Sequence, residues 1–332
     1  MCQYSAENGN PSQWHYGHLQ ALSLTGAGML MFESTAVNLQ GRITHHDLTL
    51  YNRNNEKSLR TAVNYLRSLS KIPLGLQISH SGRKGSAHVP WIRNNDALKN
   101  HEDAWTTVAP SSIERASDWP KPEPLTVNQI NGIKSDFENA ALRANRIGFD
   151  GLEIHMAHGY LLHQFFSPIS NIRTDEYGGS LEKRCRLLVE ITAKVRKAWP
   201  ENKILGARIT GSDWLDGGIT IDDTVYLVQR LQDLGLDYVC VSSGGVIPKT
   251  NLIFKSGYQI HLASEIKKRT GIITRVAGLI TNYSQASDVI EKGSADLVAL
   301  GRKFISEPNW LNHAIKLEKG VIRVPNQYKR CF

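Results

Sequence analysis

The sequence has no hydrophobic run long enough to cross a bilayer. A spanning helix needs about 20 predominantly apolar residues, and the most apolar windows, such as DLVAL and YVCV, are far shorter. The opening MCQYSAENGN is polar, with neither a basic stretch nor an apolar core, so no signal peptide is read there. A soluble, cytoplasmic protein with no membrane partner is expected. Cysteine is scarce: Cys2, Cys185, Cys240 and Cys331 are the whole supply, and no CxxC pair occurs. That argues against a disulfide framework and a zinc finger. No run of five basic residues occurs either. The net charge of +8, from 39 Lys and Arg against 31 Asp and Glu, admits anionic partners such as nucleotides and phosphorylated cofactors. Scattered as it is, the charge reads as a basic enzyme and not a nucleic-acid binder. With 41% hydrophobic and 21% charged residues over 332 positions, the chain is not disordered, collagen-like or a heptad coiled coil.

From residue 126 onward the sequence alternates helix and strand. Thr126 to Gln129 reads as a capping box. Val127, Ile130, Phe137, Ala141, Ala144 and Ile147 follow at helical spacing, Gly148 ends the helix, and GLEIH is the next strand. The unit recurs: a helix around Leu188, Ile191 and Val195 before ILGARI, one around Val225, Val228 and Leu231 before DYVCVS, one ending near Gly271 before IITRVAG, and one from Asn282 to Gly293 before DLVALG. Gly148-Phe149-Asp150 and Gly235-Leu236-Asp237 repeat one turn chemistry. Ahead of residue 126 the reading is helix Trp14–Leu24, strand MLMFEST, helix Glu56–Leu69 and strand PLGLQIS. Adding the stub MCQY brings the strand count to eight.

Apolar strands alternating with helices form a parallel sheet. A doubly wound sheet would want GxGxxG after its first strand, and none is present. The distribution of polar residues favours a (β/α)8 TIM barrel, because nearly every strand ends in a chemically useful group and a barrel gathers all strand ends on one face. The expectation is one barrel domain over residues 1–332. Residues 81–125 are read as a capping insertion after strand 3. They hold five of the twelve prolines and three of the seven tryptophans, and tryptophan is rare in disordered linkers.

His155, His158 and Tyr160 follow an apolar strand. Two imidazoles and a phenol facing one cavity can hydrogen-bond a carbonyl oxygen and move a proton, since a phenol with a pKa near 10 is protonated at neutral pH. Alternatively one His packs and Tyr160 is core, or the His pair ligates a metal; no carboxylate adjoins them and no HxH occurs. Gly278, Gly301 and Arg302 end the last two strands, where barrels often hold a phosphate; the glycines could equally just turn the chain. Gln77 and Arg208 end two more strands, and a carboxamide with a fixed cation can read a heterocycle.

Together these segments resemble the old yellow enzyme family of flavin-dependent ene-reductases. MCQYSAENG, ESTAVNLQGRIT, LQISHSGRKGSAHVPW, APSSIERASDWPKPEPLT, GFDGLEIHMAHGYLLHQFFSPISNIRTDEYGGSLEKR, ARITGSDW, VAGLI, LVALGRKFI and VPNQYKRCF carry the likeness along the whole chain. The Cys2/Tyr4 pair and the GRKGSAHVPW segment resemble the bacterial thermophilic-like, or xenobiotic-reductase-like, subclass. The resemblance implies bound FMN, reduced by NADPH or NADH, and reduction of the C=C bond of α,β-unsaturated carbonyl compounds, with nitro compounds and other xenobiotics as further oxidants. It places Gln77 at the pyrimidine end of the flavin, Arg208 by N1 and the C2 carbonyl, Ser34 at a flavin edge where the family usually has Ala, and Cys2 near N5. Gly278, Gly301 and Arg302 would hold the phosphate, His155 and His158 the substrate carbonyl, and Tyr4 the substrate, while Tyr160 supplies the proton. It implies a homodimer or homotetramer whose C-terminal tail brings Arg330 into a neighbour's site. The iron–sulfur dienoyl-CoA reductases are disfavoured, for want of grouped cysteines. Because Met1 already lies inside the motif, a truncated first strand is expected. Two alternatives follow: a flavin barrel silenced by that loss, and a metal-dependent barrel hydrolase using His155 and His158.

Overall fold

The computed structural model describes all residues except 251, 319 and 323, and except the side chain of residue 94. Helix α1 (Gln13–Ser23) leads into strand β1 (Leu30–Ala36), α2 (Arg53–Leu69) and β2 (Leu74–Ser79). The segment 81–125 follows, with two short paired strands, β3 (Val108–Ala109) and β4 (Glu123–Pro124). Then come α3 (Val127–Ile147), β5 (Gly151–Met156), α4 (Leu161–Phe166), α5 (Leu181–Ala198), β6 (Ile204–Thr210), α6 (Ile221–Gln232) and β7 (Tyr238–Ser242). The chain ends with α7 (Ile260–Thr270), β8 (Ile273–Val276), α8 (Tyr283–Glu291), β9 (Leu297–Val298), α9 (Arg302–Ser306) and α10 (Trp310–Leu317). Strands β1, β2, β5, β6, β7, β8 and β9 pair in that order, all parallel. Successive strands joined by helices make this the architecture of a (β/α)8 barrel.

The turns pin the strands in register. Gly148, at φ +99°, closes α3 in a left-handed conformation that a Cβ would disfavour. Two residues on, the Asp150 carboxylate accepts the Leu74 N–H at the head of β2 (2.8 Å). Asp237 accepts from Leu205 N–H (2.7 Å) and Asp296 from Thr274 N–H (2.9 Å) in the same way. The aspartate entering one strand thus satisfies a backbone donor at the start of the strand beside it. The capping box at Thr126 and Gln129 forms as its sequence predicts: Thr126 Oγ1 accepts the Gln129 N–H, and Gln129 Oε1 accepts the Thr126 N–H.

One expected strand is not there. Residues 1–5 form no strand, and seven strands, not eight, make up the barrel sheet among the described residues. Tyr4 has φ +47°, a left-handed conformation that breaks an extended run. The MCQY stub instead lies as a loop, and Ala6 N–H donates to His46 O (3.0 Å). The insertion therefore follows the second strand of the sheet.

The helices bury apolar stripes against the outside of the sheet, where Phe137, Leu188, Val228 and Ile266 are fully covered. The barrel interior is polar. Gln77, Glu153, Gly206 and Tyr238 stand in one register row, and His155, Arg208, Cys240 and Arg275 in the row above. Among the described residues no helix is long and apolar enough to cross a membrane.

Candidate active site

The upper row opens at the C-terminal ends of the strands, and the loop after β5 folds over it. His158 has φ +59°, a costly conformation for a non-glycine residue. It is held by close backbone approach: a Cβ on Gly159 would lie 2.0 Å from Gly245 O, so only glycine fits there. Lys84 Nζ adds a clamp, donating to His158 O (2.7 Å) and Gly245 O (3.4 Å). Beneath this loop, His163 joins Gly159 N–H (2.7 Å) to the Asp213 carboxylate (2.8 Å), with all its side chain buried.

The hydrogen-bond network assigns the tautomers of the two histidines. Ala157 N–H donates to His155 Nδ1 (3.2 Å), so the His155 proton sits on Nε2 and points at His158 Nδ1 (3.3 Å). His158 Nε2–H then donates to Ser242 Oγ (2.6 Å), and Ser242 donates to Gln259 Oε1 (3.2 Å). Burial, followed by the Arg208 charge, holds both imidazoles well below their ordinary pKa, so they are neutral.

Tyr160 packs edge-on against His155, with ring centroids 4.9 Å apart. Burial pushes its pKa up, reinforced by Cys2 and Asp47 and opposed by Arg115 and Arg208. The Lys84 ammonium lies 4.9 Å from the centre of its ring. Burial also pushes Cys2 and Tyr4 up. All three groups therefore keep their protons at neutral pH. Cys2, Tyr4 and Tyr160 rest against one apolar cluster of Ile43, Ala87 and Trp119. Cys2 lies at the Ser34 backbone N–H, beside the bulge between Phe32 and Ser34 in β1.

Not every residue singled out in the sequence points where expected. Gln77 lies beside Ser34 in register, but its amide donates to Glu153 Oε1 (2.6 Å). Gly278 has φ +128°, and a Cβ there would meet Gln259 and Tyr258 at 2.9 and 3.0 Å. The charges of Arg208 and Arg302 both act on the Tyr258 hydroxyl, which places the two guanidiniums around one loop. Gly301 is exposed, with the Met1 side chain next to it. Arg330 is exposed on the tail, whose Phe332 ring lies 5.4 Å from that of His313. Among the described residues Arg330 does not join the site of its own chain. No three His, Cys, Asp or Glu side chains converge to hold a metal among the described residues, so the His pair lacks a further ligand for the hydrolase alternative.

Sequence reasoning missed Lys84, Arg115, Trp119, Glu153 and Gln259. For Lys84 the signal was present, in GRKG directly after a strand. Glu153 was hidden inside an apolar strand, and Arg115 and Trp119 lie in a segment without periodicity.

The donor set fits a flavin mononucleotide. Arg208 Nε is buried in the upper row without a partner, as a cation awaiting an acceptor would be. Gln77 stands in the row beneath it, with one amide proton left besides the one given to Glu153.

Comparison with known proteins agrees. Residues 1–321 match the model of the NADH:flavin oxidoreductase / NADH oxidase family. The chain is 40% identical to an NADH:flavin oxidoreductase of Gibberella zeae, covering 100% of this chain and 84% of that protein. It is 38% identical to an NADPH dehydrogenase of Geobacillus thermodenitrificans, covering 99% of this chain and 92% of that protein. In fold it is similar to morphinone reductase in complex with tetrahydroNAD, with a TM-score of 0.77 at 22% identity over 98% of this chain and 87% of the other. The chain therefore belongs to the NADH:flavin oxidoreductase / NADH oxidase family, the old yellow enzymes, and is an FMN-dependent oxidoreductase of that kind.

Proposed function

We propose that the enzyme takes electrons from NADPH or NADH and reduces the C=C bond of α,β-unsaturated carbonyl compounds. The observation that carries this reading is the packing of a protonated phenol, Tyr160, against the neutral imidazole of His155, which packs in turn against neutral His158, in the barrel mouth beside Arg208. FMN, when bound, supplies the hydride chemistry; the protein supplies position and electrostatics. Gln77, Arg208, Ser34 and Cys2 are the groups for its ring system. Gly278, Gly301 and Arg302 are those for its phosphate.

Neutral imidazoles each offer one N–H without bringing charge. A substrate carbonyl competes with Ser242 for the His158 proton, and with His158 for that of His155. Both hydrogen bonds draw electron density toward the oxygen and leave the β-carbon electron-poor. Tyr160 then gives its proton to the carbon alpha to the carbonyl. Burial holds that proton on the phenol until the carbon acceptor is in place. The Arg208 charge opposes the rise in the Tyr160 pKa and so helps stabilise the phenolate left behind. Tyr4, against the same cluster as Tyr160, packs edge-on against Trp91, their ring centroids 6.1 Å apart.

Stopped-flow kinetics on Tyr160→Phe test the assignment. Enone reduction should slow by roughly 10²–10⁴-fold, while reduction of the flavin by NADPH stays near wild type. Equal slowing of both half-reactions would remove Tyr160 from the proton step.

A further inference from the structure

The segment 81–125 brings one cation to the mouth that the reaction above does not require as a ligand group. Arg115 lies flat on Trp119, its guanidinium carbon 4.4 Å from the ring centre. Trp119 is 8% exposed and belongs to the apolar cluster against which Cys2, Tyr4, Ala116 and Tyr160 rest. Tyr4 and Tyr160 pack against the same cluster as the Trp119 ring on which Arg115 lies, and the Arg115 charge bears on the Tyr160 hydroxyl, so the guanidinium stands near the two phenols. Its place is fixed from below. Arg83, 2% exposed, donates to Ile113 O (3.0 Å) and Glu114 O (3.3 Å), the two carbonyls just ahead of Arg115, and to Val246 O (2.7 Å).

Arg115 Nη1 is buried and has no hydrogen-bond partner among the described residues. The other cations here are used differently. Lys84 spends protons on two carbonyls, and Arg83 on three. Asp96 and Asp118 bear on Arg115 electrostatically, yet both are exposed and neither forms an ion pair with it. A buried guanidinium N–H left unsatisfied costs about 1–3 kcal/mol. A rigid, preoriented guanidinium fork with an unpartnered N–H beside the Tyr4 and Tyr160 rings is suited to bind a carboxylate.

We propose that Arg115 is a substrate-anion receptor, and that the enzyme's preferred oxidants are unsaturated carbonyl compounds carrying a second, anionic group, a carboxylate. This rests on the ene-reductase reading above and narrows it to a substrate class. The same chemistry could serve a phosphate of the reduced nicotinamide nucleotide, so the test separates the two sources.

The probes are 3- and 4-hydroxybenzoate and the matching hydroxybenzamides, phenols that imitate the enolate at the His pair. Their affinities for the FMN-loaded enzyme are measured by calorimetry at low and high salt. The better-fitting acid should bind roughly ten- to a hundredfold more tightly than its amide, and salt should weaken only the acid. Arg115→Gln should bring that ratio close to one while the amide binds as before, and Arg115→Lys should restore part of it. Equal affinity for acid and amide in the wild type, or equal weakening of both in Arg115→Gln, would overturn the proposal. So would a preserved acid preference in Arg115→Gln together with slower flavin reduction by NADPH but not NADH, which would assign Arg115 to the nucleotide phosphate. A wild-type enzyme that binds no phenol and reduces no enone would overturn the ene-reductase reading and this one with it, whereas an enzyme active on enones that ignores the carboxylate would overturn only this one.

Discussion

Replacing Glu153 by Gln should destabilise the barrel more than any surface change. Glu153 is fully buried in the lower interior row. Its Oε1 accepts from the Gln77 amide (2.6 Å), and its Oε2 accepts from the Tyr238 hydroxyl (2.8 Å) and from Arg275. Arg275 is itself only 14% exposed in its side chain. Burial works against its charge, but Cys240, Glu153 and Tyr238 outweigh that and keep it a cation. Glu153→Gln keeps the shape and removes the charge, so Arg275 is left buried beside a neutral amide. Breaking a buried pair on one side costs about 3–5 kcal/mol. At roughly 2 °C per kcal/mol for a protein of this size, the melting temperature should fall by about 6–10 °C. Removing both charges in a Glu153→Met, Arg275→Met double variant should cost less than the two single changes summed, by more than about 1 kcal/mol, because neither charge is then stranded. In the double variant, where position 153 can no longer accept, the Gln77 amide is released, so FMN should dissociate more readily, which equilibrium dialysis of the bound flavin reads directly. A Glu153→Gln protein that melts within 2 °C of wild type, or strictly additive costs in the cycle, would refute this reasoning.

Acid should loosen the fold through its buried neutral histidines. Burial holds His80 at about 3 against 6.5, and holds His155 and His158 well below 6.5. Below pH 6.5 the unfolded chain then binds more protons than the native one, so stability is present above that pH and is lost as pH falls. Asp47, pushed up to about 7 from 3.8 by burial, acts with the opposite sign between those values. His80→Leu should therefore flatten the decline of melting temperature between pH 6.5 and 4.5, and an unchanged slope would count against it. Gly159→Ala should disrupt the His158 loop, since the added Cβ would lie 2.0 Å from Gly245 O at φ +72°; tight phenol binding in that variant would contradict the close-approach argument. For the tail, Arg330→Ala should raise the KM for substrate if a neighbour's site uses it, and a monomeric enzyme with unchanged kinetics would exclude the tail from catalysis.

Much of the scaffold was legible because its signals are local. Helix periodicity, the Thr126 capping box and the Gly-x-Asp turns each depend on residues within a few positions of one another. The His155, His158 and Tyr160 group was legible for the same reason, being one loop at one strand end. Partners that meet across the barrel were not. Glu153 finds Gln77, Tyr238 and Arg275 only when β2, β5, β7 and β8 come into register, and in sequence it is one acid in an apolar strand. Tyr4 sits in a short stub that the strand count reads as a strand end, yet its left-handed φ turns the chain into a loop. The Glu153 carboxylate beside Gln77 was not foreseen, because it is a contact between strands that composition cannot reveal.

The two interior rows divide stability from chemistry. Around the lower row the polar groups answer one another: Gln77 and Tyr238 within it, and Arg275 reaching from the row above, all donate to Glu153, which has four lone pairs with which to accept them. Such a network, nearly closed, stiffens the barrel and specifies its register. In the mouth above, Arg208 Nε, His80 Nε2, Glu33 Oε1 and Arg115 Nη1 are buried without partners. Each is a local destabilisation that a marginally stable fold can carry only because the packing around it is strong. Arg208 belongs to both rows' logic: it stands two residues after Gly206, whose missing side chain leaves room for the Tyr238 ring, 2.1 Å from where a Cβ would be. The tyrosine fills the floor and the arginine stands above it. A larger residue at position 206 would therefore displace Tyr238 from Glu153 and tilt Arg208 at once, coupling the stability of the floor to the chemistry of the mouth through a single glycine.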